Sequence, residues 1–169
     1  DIAANKSYAN YSFYLGATND NIEEIKKSDP NASCGLKVFM GASTGDLLVD
    51  KYESLEKIFE HCPTNIVTHC EDPKRLIENE NIFQEKYGDQ LHAAHHAVIR
   101  DEECCYLSSS LAVGLAKKFG ANLHVLHLST KREMDLFEPG PIDNKKITAE
   151  GCVHPVSYTH LRAHETHSN

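Results

Sequence analysis

A strand-then-helix beat repeats along this chain, and it limits the fold more than any other feature. Apolar runs at residues 11–17, 35–40, 65–70, 122–128 and 146–149 read as strands. Helix signals fall between them. Asp20 with Glu23 predicts a cap and a helix over 21–27, and Asp50 with Glu53 predicts a second helix with Leu55, Ile58 and Phe59 as its apolar stripe. Asp72-Pro73 is an N-cap and first-turn pair, and Leu76, Ile77 and Phe83 suggest the helix that follows, up to a turn at Gly88-Asp89. Asp101 caps a long helix ending near Phe119, with Gly120 beyond it and Leu111, Leu115 and Phe119 on its buried side. Thr130 with Glu133 caps a last helix through about Phe137. Strand cores that are apolar on both faces, joined by helices, predict a parallel α/β sheet.

Five such strands fit either an open doubly wound sheet or a piece of a (β/α)8 barrel. Polar residues decide between them. Lys37, His69 and His127 each sit at or near the C-terminal end of their strand, and in a barrel those ends converge on the mouth that holds the active site. We therefore expect a fragment of a (β/α)8 barrel.

Lys37 is out of place among Leu36, Val38, Phe39 and Met40. A buried ammonium must find a partner, lose its charge or be chemically changed. The plain alternative is a stem that packs while the amine reaches water. Carbamylation by carbon dioxide is a further route, and it turns the amine into an anion able to bridge two metal ions. His69 closes the next strand. His127 closes the one after, with His124 three residues earlier. Strict alternation puts those two on opposite faces; position at the strand end, just before a capped helix, favours His127 for the rim and leaves His124 to pack against the outer helices. Neutral imidazoles suit zinc, and a pair of such ions can activate water and polarise an amide-like carbonyl. The ligand set expected on this reading is Lys37, His69 and His127.

Other candidates read more blandly. His92, His95 and His96 lack an HExxH pattern and suit a solvated loop. Cys70 beside His69 has no basic helper placed by sequence, so packing is the better reading. The loop from Gly41 to Gly45 lacks the Lys-Ser/Thr of a phosphate cradle.

The net charge of −8 argues against nucleic acid as a partner. No apolar run approaches the ~20 residues of a membrane helix. Six cysteines form no CxxC pair, and Cys104 and Cys105 are adjacent, which suits reduced thiols and a cytoplasmic location. The chain opens without methionine on what looks like the middle of a helix, so we expect it to be cut at both ends. Residues 156–166 have no apolar period and resemble one reading frame of a transposon-type sequencing adaptor. We divide the chain into 1–154, a partial barrel, and 155–169, a non-native tail whose His160, His164 and His167 carry no function.

Residues 1–154 resemble class I dihydroorotase of the amidohydrolase superfamily. The matching blocks are Ala9-Asn10-Tyr11-Ser12-Phe13-Tyr14 through Gly16-Ala17-Thr18-Asn19-Asp20, the stretch from Gly35 to Gly45, Thr68-His69-Cys70-Glu71, and Leu126-His127-Leu128-Ser129-Thr130. The shorter motifs also fit dihydropyrimidinase, hydantoinase and allantoinase. The resemblance implies barrel strands three to seven, a binuclear zinc centre bridged by carbamylated Lys37, and His69 and His127 on the second ion. It implies the interconversion of N-carbamoyl-L-aspartate and dihydroorotate in pyrimidine synthesis, a small-molecule substrate and a homodimeric parent. The family's His-x-His pair, its substrate-binding arginine and asparagine and its catalytic aspartate have no counterpart here. The parent is therefore expected to be active and this chain inactive, with no catalytic base of its own. A metal-free barrel serving as a scaffold is the rival from another class.

Overall fold

The computed structural model describes residues 2–43 and 45–151. His154 and the segment read as a non-native tail lie outside them. Five strands form one parallel sheet: β1 (Tyr14–Gly16), β2 (Gly35–Phe39), β3 (Ile66–His69), β4 (Leu123–Leu128) and β5 (Ile147–Gly151). Their order in space is their order in the chain. A doubly wound sheet would reverse at a switch point, so sequential order with helical crossovers identifies a segment of a (β/α)8 barrel. The helices are α1 (Ile2–Lys6), α2 (Ile22–Ile25), α3 (Tyr52–His61), α4 (Pro73–Tyr87), α5 (His96–Ile99), α6 (Glu102–Phe119) and α7 (Lys131–Met134). No helix among the described residues is long and apolar enough to cross a membrane.

Register divides the sheet into two unlike faces. Leu36 pairs with Ile66, Ile66 with Leu123, and Val38 with Thr68. This face packs on the helices: Leu36, Val38, Ile66, Leu123 and Val125 are fully buried in one cluster with Leu55, Ile58 and Phe59 of α3 and Ala112, Leu115 and Ala116 of α6. Each such aliphatic side chain contributes roughly 1.5–3 kcal/mol through burial. The opposite face mixes polar and apolar residues. Lys37 pairs with Val67, Phe39 with His69, Val67 with His124, and His124 with Thr148. The expectation of strands apolar on both sides therefore holds for the helix-facing side alone; the other lines the concave interior.

The caps at Asp72, Asp101 and Thr130 form as the sequence indicates: Asp72 accepts from Arg75 N, Asp101 from Cys104 N, and Thr130 exchanges bonds with Glu133. Gly120 takes the left-handed conformation that ends α6. Two caps differ. Helix α2 starts after Asn21, whose side chain is held by Thr18 N and the Gly16 carbonyl, and Lys51 stands at the cap of α3 while Asp50 accepts from Asn19. Tertiary hydrogen bonds there outcompete local capping. Leu111 is also a correction, at 36% exposed. The packed side of α6 runs through Ser108, Ala112 and Ala116, small residues that let the helix lie close to its neighbours and leave Leu111 at the border. Helix α7 is shorter than expected, ending at Met134.

Candidate functional site

Strand β2 carries Lys37 on the concave face between Gly16 of β1 and Val67 of β3. The amine lies 4.5 Å from the centre of the Phe39 ring. Among the described residues it has no ion-pair partner. Burial pushes its pKa down, opposed by the fields of Cys70 and Glu150. Desolvation therefore favours the neutral amine.

Strand β3 ends on His69. Its Nδ1 lies 3.0 Å from His127 Nε2, and the two ring centres are 4.9 Å apart. Its Nε2 lies 2.8 Å from Glu71 Oε2. Glu71 is buried and also accepts from the Arg100 guanidinium. Burial alone would raise the Glu71 carboxyl; hydrogen bonds from His69 and Arg100 and the Arg100 charge outweigh it and hold the pKa at about 2. An ionised carboxylate only accepts, so the hydrogen of this contact is on His69 Nε2.

His127 reaches this face because β4 is irregular. Val125 pairs with Ala149 and Leu128 with Gly151, so three steps on β4 match two on β5. The extra residue is a β-bulge, and His127 has φ +39°. The bulge reverses the alternation: Leu128 joins the helix-facing core and His127 turns to the concave rim beside His69. It also corrects the placement of His124, which shares the concave face, contacting Thr148 Oγ1 at 2.9 Å and Glu150 Oε2 at 3.3 Å. Burial, then the neighbouring His69, push the His127 pKa down, and Lys37 adds to the effect. Both histidines and the lysine thus share the concave face.

The turn after His127 is clamped by Glu133. Its Oε1 accepts from Ser109 Oγ at 2.6 Å on α6, and its Oε2 from Ser129 N at 3.3 Å, Thr130 N at 3.2 Å and Thr130 Oγ1 at 2.9 Å. A cavity of about 160 Å³ lies between this clamp and the histidine pair, bordered by Cys70 and Cys105. Burial raises Cys70 to about 11, which keeps it a thiol. His92 and His95 cap a short 3-10 turn, and His95 stacks on Tyr87 at 4.2 Å. Gly41 serves a backbone approach, since a Cβ there would overlap the Glu71 carbonyl.

Glu71, Arg100 and Glu133 are the residues that sequence reading passed over as site components. Glu71 stood within a noted motif and Glu133 within a capping box, but Arg100 is 29 residues from its partner and gives no local signal. Among the described residues, no group of three or more His, Cys, Asp or Glu side chains is placed to hold a metal ion. The donor chemistry nevertheless fits one: two imidazole nitrogens face each other across 3.0 Å, and two nitrogens on one tetrahedral ion stand roughly 3.3 Å apart.

No family model matches the chain. An allantoinase from Streptomyces avermitilis is 27% identical over 163 residues, covering 94% of this chain and 35% of that protein. A dihydroorotase from Methanosphaera stadtmanae is 24% identical over 160 residues, covering 92% of this chain and 35% of that protein. The structure of an L-hydantoinase (dihydropyrimidinase) from Arthrobacter aurescens superposes with a TM-score of 0.73 at 22% identity, covering 85% of this chain and 32% of that one, which shows the fold. The chain thus spans about a third of the length of the curated relatives it matches. These relatives are cyclic amidohydrolases, which supports placing the chain in the amidohydrolase superfamily.

Proposed function

We propose that the chain is part of a metal-dependent dihydroorotase, in which Lys37, His69 and His127 belong to a zinc centre. The observation that carries this reading is the 3.0 Å approach of His69 Nδ1 and His127 Nε2 on the face that bears Lys37. Lys37 is half-buried with its pKa lowered. Its neutral amine attacks carbon dioxide; an N–C bond forms, the nitrogen releases a proton to solvent, and the product is a carbamate anion. That step turns a poorly solvated amine into an anionic ligand. His69 offers Nδ1 and His127 offers Nε2. Glu71 holds the far side of the His69 ring. Zinc bound there supplies Lewis acidity for an amide carbonyl and for water.

This chain alone is inactive on the same reading. It contains no His-x-His pair, and β1 and β5 each have one unpaired edge among the described residues. The test is a substrate panel on the full-length protein with dihydroorotate, carbamoyl aspartate, dihydrouracil, hydantoin and allantoin. Highest kcat/KM on the dihydroorotate pair is the expected result, because that substrate carries a carboxylate. A second reading, an allantoinase- or hydantoinase-type cyclic amidohydrolase, is favoured by the allantoinase relatives, and preference for allantoin or hydantoin would select it. Turnover of none of them would remove the hydrolase assignment.

A further inference from the structure

The segment that follows α5 makes an unusual set of contacts for a loop. Asn79 Nδ2 on α4 donates to the Ile99 carbonyl at 2.8 Å. Arg75, also on α4, donates through Nε to Asp101 Oδ1 at 2.8 Å, while Asp101 caps α6. Residues 99 and 101 are therefore fixed from one helix, and Arg100 between them is aimed the other way, onto Glu71. Glu71 is fixed in turn: its carbonyl lies against Gly41, and its carboxylate receives both Arg100 and His69 Nε2.

We infer that Glu71 and Arg100 are positioning residues that lock His69 as its Nε2–H tautomer, so that Nδ1 keeps its lone pair on the rim facing His127. The inference deepens the zinc reading and rests on it for its purpose. Three observations carry it. Glu71 Oε2 is 2.8 Å from His69 Nε2. The Glu71 side chain is 9% exposed, so water does not compete for it freely. Arg100 donates to the same carboxylate oxygen and fixes where the carboxylate points. Without Glu71, an imidazole in water-like surroundings exchanges between tautomers, and the Nδ1–H form points a proton where a ligand lone pair is needed. Carboxylate–histidine pairs of this kind raise ligand basicity and fix ring orientation, and losing one typically weakens metal binding 10- to 100-fold. Arg100 acts one step further out, by holding the Glu71 carboxylate turned toward the ring.

The experiment is nitrogen-15 NMR of the imidazole side chains in the metal-free 169-residue chain, with zinc affinity read in parallel by competition with a chromophoric chelator. In the unaltered chain His69 should show a protonated Nε2 and an unprotonated Nδ1. Glu71→Gln keeps an acceptor oxygen and should retain that pattern. Glu71→Ala should give averaged tautomers and about 10- to 100-fold weaker zinc binding. Arg100→Ala should weaken zinc binding and Arg100→Lys should restore much of it. An unaltered chain with His69 protonated on Nδ1 would overturn the inference, as would a folded Glu71→Ala chain whose His69 tautomer is unchanged. A chain that shows the Nε2–H tautomer yet takes up no zinc would uphold this inference and count against the metal-centre reading instead.

Discussion

His69 and His127, 58 residues apart in the chain, bring Nδ1 and Nε2 within 3.0 Å at the open end of adjacent strands. Two imidazoles at that distance share one hydrogen, one nitrogen donating and the other accepting. They gain a great deal if both lone pairs converge on one cation. Substituting either histidine should therefore remove most zinc affinity, and the double substitution should cost little more than either single one. Calorimetric titration of His69→Ala, His127→Ala and the double variant checks this; additive losses would mean the rings act separately.

The bulge in β4 makes a prediction about backbone strain. His127 has φ +39°, where most side chains are disfavoured and glycine is not. His127→Gly should therefore be more stable than His127→Ala, by about 1 kcal/mol, the reverse of the order in a regular strand. Urea unfolding of the two variants measures the difference.

That bulge also shows where reading the sequence stopped. Lys37 and His69 were legible because a cation and an imidazole stand out in apolar runs, and a register that keeps strict alternation then fixes their face. Asp72, Asp101 and Thr130 were legible because their caps are closed by atoms three residues away. His124 was misplaced because one extra residue reverses every side chain beyond it, and no local pattern announces the insertion. Asp20 and Asp50 failed as caps because Asn19 and Asn21 are drawn into contacts made only once the chain has folded. Arg100 and Glu71 meet only through the packing of α4 on the start of α6.

Glu133 ties the turn beyond His127 to α6 through Ser109. It is 2% exposed, so its removal leaves Ser109 Oγ and two backbone amides short of partners. Glu133→Ala should lower stability by about 2–3 kcal/mol. Glu133→Gln, which keeps the acceptor for the amides, should lose less. Thermal or urea unfolding distinguishes them; equal losses would mean that the charge alone matters.

Asp101 gives a pH dependence with a definite sign. Hydrogen bonding from Arg75, opposed by slight desolvation and aided by the Cys104 amide, holds its carboxyl below the ordinary range. The unfolded chain thus binds the proton first as pH falls. The contribution is complete above about pH 4 and fades as pH drops through the lowered folded value. The pair is about a third exposed, so its charge part is worth roughly 0.2–1 kcal/mol. Asp101→Asn should lose that part and flatten the acid limb, while Asp101→Ala should lose about 1 kcal/mol more with the cap. Stability measured from pH 3 to 7 separates the two.

Gly41 sets how closely the end of β2 approaches the Glu71 backbone. A methyl group there meets the Glu71 carbonyl, which is main chain and cannot rotate away. Gly41→Ala should destabilise the chain by about 2–3 kcal/mol. It should also disturb His69 through the displaced Glu71. Broadened His69 resonances together with a lower unfolding midpoint are the expected signature.

The claim on which the functional account rests is that Lys37 becomes a carboxylated ligand. Carbon-13 NMR of the chain equilibrated with labelled bicarbonate and zinc tests it most directly. A carbamate carbonyl resonance coupled to the Lys37 side chain, strengthened by zinc and absent from Lys37→Arg, is the expected result. No such resonance at saturating bicarbonate and zinc, or one that survives in Lys37→Arg, would contradict it.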